Sequence, residues 1–193
     1  MIFYHKPYNM KKCFSLLLLL VLVGTVSAQR YFTKNGTISF DATASGSPEN
    51  ITADNRTVTC VIDAATGGIQ FKAAMKAFTF ERALMQEHFN ENYVESDKYP
   101  DALFKGTISN LSSINLSQDG SYPANVKGKL TMHGVEKEVE TTGKITVAKG
   151  KVTATASFAA LLSDYKIDVP KLVSDKVSKT AKITVNCGLE PLK

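Results

Sequence analysis

From residue 30 onward the chain sets apolar side chains at every second position. Ile38 and Phe40 alternate with Thr37 and Ser39, and Val58, Cys60 and Ile62 alternate with Thr57, Thr59 and Asp63. Ile69 and Phe71 share a face, as do Ala102, Phe104, Gly106 and Ile108. The same rhythm runs through Val126, Gly128, Leu130 and Met132, through Val135 and Val139, through Val152, Ala154, Ala156 and Phe158, and through Ile183, Val185 and Cys187. Lys, Glu and Thr occupy the intervening places. A period of two with one wet face predicts half-buried antiparallel strands. Polar turns at 45–48, 65–68, 118–121 and 149–150 separate them. About eight such strands must close or stack to hide their inner faces and edges.

The alternation breaks once. Between Phe80 and Tyr93 the apolar residues Phe80, Leu84, Met85, Phe89 and Tyr93 fall four apart in pairs, with Glu81, Gln86, Glu87, Asn90 and Glu91 elsewhere. This spacing predicts a short helix with one apolar stripe, set between two strands. The helix either plugs one end of a barrel or caps an ordinary core.

Two features bear on a hollow interior. Small residues recur on the inner rows, at Ala102, Gly106, Gly128, Ala154 and Ala156, and the chain has no Trp. The larger apolar groups gather around the helical insertion. An eight-stranded barrel is about the size that either fills with its own side chains or holds one small ligand.

Upstream lies an address. Lys6, Lys11 and Lys12 precede a mostly apolar run from Phe14 to Val23, and Val26-Ser27-Ala28 has the form of a cleavage site. The run is shorter than the ~20 residues that span a bilayer. We therefore expect residues 1–28 to be a signal peptide and 29–193 a single domain, periplasmic or secreted after cleavage near Ala28. Loss of three lysines and no acid lowers the net charge from +5 to +2. Charges of both signs alternate along the strands, as at Lys127, Lys129, Glu136 and Glu138. No clustered basic surface points to nucleic acid.

Several segments resemble the YceI-like family. They are Phe80–Tyr93 with Lys98-Tyr99-Pro100-Asp101-Ala102-Leu103-Phe104-Lys105-Gly106, Gly128-Lys129-Leu130-Thr131-Met132-His133-Gly134-Val135-Glu136-Lys137, Asp63–Ile69, and Asp164-Tyr165-Lys166-Ile167. Their order and spacing carry the resemblance over roughly residues 30–190. The version of the central segment is similar to the form common in Bacteroidota. The resemblance implies a lipocalin-like antiparallel β-barrel with a short helical insertion near one end. It also implies a tunnel that holds a polyisoprenoid or other amphiphilic lipid, and no known reaction.

Parity and spacing nominate Phe78, Phe80, Leu84, Met85, Phe89, Phe104, Leu130, Met132 and Phe158 as lumen-lining residues. Unbranched, soft Met85 and Met132 suit an adaptable wall. His88, on the striped element, is the head-group candidate. No catalytic residue, metal or cofactor beyond the bound lipid is expected. Partners are a long-chain isoprenoid or other lipid and, transiently, a membrane; a homodimer stays open. Two other readings remain: a filled barrel or sandwich serving as an interaction module, and a hydrolase-type enzyme using His88 with Glu87. No HExxH, CxxC or Gly-x-Ser-x-Gly supports catalysis or a metal. His133 reads as a turn residue before Gly134.

Cys60 and Cys187 both have inward parity. If the last strand closes on the first, one strand lies between them. At ~4.8 Å per strand that gap exceeds the reach of a disulfide, so whether they pair stays open. The sequons at Asn35, Asn50, Asn55, Asn110 and Asn115 read as strand and turn chemistry in a bacterial chain.

Overall fold

Each run with a period of two forms a strand. In the computed structural model, which describes residues 29–192, the long strands are β1 (Arg30–Thr43), β2 (Thr52–Asp63), β3 (Gly68–Ala74), β5 (Asp101–Ile108), β6 (Gly120–Met132), β7 (Val135–Ala148), β8 (Lys151–Leu161) and β9 (Val177–Pro191). A two-residue strand, β4 (Thr79–Phe80), pairs with the start of β2. The expected signal peptide lies outside the described residues.

Neighbouring strands pair antiparallel in the order β1-β9-β8-β7-β6-β5-β3-β2, and β1 pairs with β2 to close the circle. The eight long strands are a closed antiparallel barrel. Closure satisfies the edge strands that an open sheet of these sequences would expose. Between β4 and β5 sit α1 (Ala83–His88) and a π-helical turn, Phe89–Tyr93, in which Val94 N–H donates to Phe89 O at 2.9 Å. This is the helical insertion, and it lies at the end of the barrel formed by the end of β1 and the start of β2.

Turn chemistry sets the register. His133 and Gly134 both adopt positive φ, 51° and 71°, the pair that a two-residue β6–β7 hairpin requires. The β2–β3 turn is capped by Asp63, whose Oδ1 accepts from Thr66 N at 3.1 Å and Ala65 N at 3.0 Å. Those bonds hold the Asp63 carboxyl below the ordinary carboxylate range. The carboxylate therefore contributes stability above the unfolded-state pKa near 3.9, and that contribution disappears as pH falls through the lowered folded-state value. Melts followed from about pH 5 to about pH 2 should fall less steeply for Asp63→Asn than for the parent.

The interior divides in two. One cluster (Tyr31, Ile114, Val147, Val152 and Leu189 among its members) fills the end away from the helix. The other (Phe78, Phe80, Phe89, Val94, Leu162 and Tyr165 among its members) lies at the helical end.

Two inner positions differ from the sequence reading. Gly106 and Gly128 sit directly opposite one another on β5 and β6, and they do not widen the lumen. The Phe104 ring covers both: its Cζ lies 2.8 Å from where a Cβ on Gly106 would stand and 2.6 Å from that of Gly128. A Cβ on Gly128 would also meet Gly106 Cα at 2.5 Å. Gly128→Ala should therefore destabilise by about 1–3 kcal/mol through overpacking, seen as a thermal midpoint several degrees lower.

The cysteines also differ in part. β1 does separate β2 from β9, yet the free Cys60 and Cys187 thiols touch. They meet over Gly36 of β1, where a Cβ would lie 2.6 Å from Cys187 Sγ. The hydrogen bond to Cys187 and burial push the Cys60 thiol far up, so it keeps its proton.

Candidate functional site

The inward rows that do not meet across the barrel enclose a cavity of about 450 Å³, within the ~300–1,000 Å³ of small-ligand sites. Its wall follows the parity of the strands: Ile38, Phe40 and Ala42 on β1, Ile69, Phe71 and Ala73 on β3, and Ala154, Ala156, Phe158 and Ala160 on β8. Along β9 the lining runs from Val177 to Val185. That stretch is roughly 26 Å of strand at ~3.3 Å per residue, or about 20 Å along the axis at a tilt near 40°. The cavity is thus long and narrow. It ends blindly against Ile62, Ile108, Ala124 and Ile145, and opens at the helical end.

All nine nominated residues lie on this wall, and so does His88. They do not contribute alike. Phe78, Phe80 and Phe89 are buried, with the Phe89 ring centroid 5.0 Å from Phe80 and 5.7 Å from both Phe78 and Phe40. Leu84, on the same predicted stripe, is 61% exposed at the rim. The stripe assumed a continuous helix; α1 instead buries no residue, and the π-helical turn rotates Phe89 into the core. Burial raises the pKa of the Tyr93 phenol on the wall.

Glu87 does not reach the cavity and is exposed, so His88 and Glu87 do not converge there. His133 stands apart from His88: its Nδ1 lies 2.9 Å from Tyr165 O, and its ring stacks edge-on with Tyr99. Among the described residues no group of three His, Cys, Asp or Glu side chains is placed to hold a metal ion.

Sequence reasoning missed the polar rim. Glu49 from the β1–β2 loop, Arg82 just before α1 and Lys176 just before β9 all line the open end. Lys176 Nζ lies 3.1 Å and Arg82 Nη1 3.8 Å from the same oxygen, Glu49 Oε1. These residues sit in turns without periodicity, so nothing local marks them. The remaining lining residues on β1, β3 and β9 were already implicit in the alternation.

One stretch of wall lacks a ladder. β7 and β8 pair only from Lys144–Ala148 to Lys151–Thr155. Beyond Gly143 and Ala156 they diverge, and Thr141 Oγ1 donates to Ser157 O across the gap at 3.0 Å. Thr141, Gly143 and Ala156 line the cavity beside this seam.

A model of the YceI-like domain matches residues 22–188. The chain belongs to the YceI-like family. Among solved structures, this YceI-like barrel is similar to a polyisoprenoid binding domain from Saccharophagus degradans implicated in plant cell wall breakdown, with a TM-score of 0.72 at 12% identity over 86% of this chain and 99% of that one. It is also similar to BcnA of Burkholderia cenocepacia, with a TM-score of 0.64 at 14% identity over 80% of this chain and 96% of that one. The YCEI protein of Campylobacter jejuni superposes with a TM-score of 0.54 at 19% identity, over 75% of this chain and 86% of that one. At these identities the likeness concerns the fold. No protein of curated function matches the sequence.

Proposed function

We propose that this protein is an exported binding protein that holds one polyisoprenoid or similar amphiphilic lipid in its barrel. The observation that carries this reading is the long apolar cavity, blind at one end and open at the other. An apolar chain gains ~0.8 kcal/mol for each CH₂ it withdraws from water, so such a tube supplies affinity without a polar code. The polyisoprenoid binding named for the Saccharophagus degradans domain supports the same ligand class. The mechanism is sequestration, with the helical insertion gating the open end, rather than catalysis. His88 is the candidate for contact with the lipid's polar end.

Transient membrane contact belongs to this reading. Leu84 stands exposed at the rim, and Leu172 is 91% exposed in the short turn whose Val173 also lines the opening. Apolar side chains beside the mouth suit a protein that takes lipid from, or returns it to, a bilayer surface. Export to the periplasm, or secretion, rests on the N-terminal address.

The test is mass spectrometry of lipid extracted with organic solvent from the processed protein, purified from its own host. A stoichiometric prenyl or related lipid is the expected result. A clean apoprotein that also refuses added prenyl lipids would overturn the reading and favour a barrel acting as an interaction module.

A further inference from the structure

Two nucleophilic side chains take no part in the site described above. Cys60 and Cys187 are both 0% exposed, and their sulfurs meet inside the barrel although β1 runs between β2 and β9. Cα atoms of β2 and β9 come within 8 Å of each other despite that intervening strand. In a flat sheet two strands so separated stand about 9.5 Å apart.

Two features of β1 allow the approach. Against both neighbours it carries one extra residue. It advances from Thr33 to Gly36 while β2 advances from Cys60 to Val58, and from Phe32 to Thr37 while β9 advances from Glu190 to Asn186. Such a bulge bends the strand and sharpens its twist. Gly36 lies at this bulge and has no side chain to hold the sulfurs apart. A Cβ there would stand 2.6 Å from Cys187 Sγ and 3.4 Å from Val58 Cβ, so any other residue would displace the Cys187 sulfur.

Neither sulfur serves the cavity. Ile62 and Val185, two residues away on the same strands, line it, and the cysteines do not. Among the described residues no third His, Cys, Asp or Glu joins them to complete a metal site. The compartment expected from the N-terminal address is oxidising, and there disulfides form and persist.

We propose that Cys60 and Cys187 form a disulfide that staples β2 to β9 across β1. The inference goes beyond the lipid reading and rests on export alone. The reaction removes the two S–H protons and two electrons and makes one S–S bond. The electrons pass to a disulfide-bearing oxidant, which leaves as two thiols: one cysteine thiolate attacks its disulfide, and the other then attacks the mixed disulfide. The closed barrel hides both sulfurs, so the exchange takes place while β9 is still docking. All of β3 to β8 lies between the two cysteines in sequence. A bond that closes so long a loop removes a large share of the unfolded chain's entropy.

Intact mass spectrometry reads the bond directly, on processed protein purified from its own host and denatured with an alkylating agent present. The expected result is no alkylated thiol, a mass short by two hydrogens, and a single peptide link between Cys60 and Cys187. Thermal melts with and without a strong reductant read the staple. Reduction should lower the parent's midpoint by about 10 °C. Cys60→Ala and Cys187→Ala have no bond to lose and should melt alike in both buffers. Two alkylated thiols per processed chain, or a bond joining two chains, would overturn the staple while leaving export and the lumen reading intact. A bonded parent whose midpoint ignores the reductant would overturn it too. Protein that stays in the cytoplasm with residues 1–28 attached would sink the export reading, and this inference with it.

Discussion

Ala156→Trp should empty the barrel of lipid. Ala156 lines the bore at mid-height on β8, between Ala154 and Phe158, opposite Val185 of β9 in the ladder. An indole there would occupy space that one section of the tail needs. Excluding a single isoprene unit, about five carbons, forfeits about 4 kcal/mol at ~0.8 kcal/mol per carbon, close to a thousandfold in affinity. The fold should survive. The ring enters an existing cavity rather than a packed interior, so the usual overpacking penalty of about 1–3 kcal/mol does not apply in full. Thr153→Trp, on the same strand with outward parity, should retain lipid normally. Lipid-to-protein ratio by mass spectrometry, with a thermal melt on both variants, checks the result. Full occupancy in Ala156→Trp would mean that the ligand does not use the bore.

Phe89→Ala should give the largest loss of stability and the fastest leak of lipid. The helical insertion is too short to persist alone, since α1 has six residues and isolated helices need about 12–15. α1 itself buries nothing, so the π-helical turn at its C-terminal end must hold the segment down. Phe89 is that anchor: it is 7% exposed and its ring meets Phe40, Phe78 and Phe80. Truncating a buried Phe costs about 3–5 kcal/mol, or about 10 °C in a protein of this size. Leu84→Ala, on the same predicted stripe but exposed, should cost under about 0.5 kcal/mol. Residues of the insertion line the open end, so under the gating proposed above Phe89→Ala should also speed lipid transfer to acceptor vesicles, while Leu84→Ala should leave the transfer rate unchanged. If both variants melt and transfer alike, the π-helical turn does not fasten the lid.

An apolar bore carries no polar code, so under the proposed function any selection among lipids falls to the few polar groups at its opening. Glu49, Arg82 and Lys176 come from three separate segments, the first and last 127 positions apart, and all three sit where strands end.

That separation explains what could be read from the residues in order. Inward and outward faces followed from alternation, because successive side chains of any extended chain point to opposite sides whatever lies across from them. Phe104, Leu130, Met132 and Phe158 were placed on the wall by that local rule, and Phe80, Leu84, Met85 and Phe89 by the spacing of a helix turn. The turns at Asp63 and at His133-Gly134 were legible for the same reason. Depth was not legible. Leu84 and Phe89 obey one helical spacing, and a π-helical turn that the spacing does not reveal put one at the rim and the other in the core. Small residues on an inner row mean space at Ala156 but close packing at Gly106 and Gly128, because strand register brings the Phe104 ring over the two glycines. Register likewise sets Cys60 and Cys187 on either side of Gly36, and divergence of β7 from β8 opens the seam. Backbone geometry acts between neighbours in the chain and repeats, so it leaves a periodic trace. Contacts between distant strands depend on barrel closure, twist and register together, and these leave no period behind.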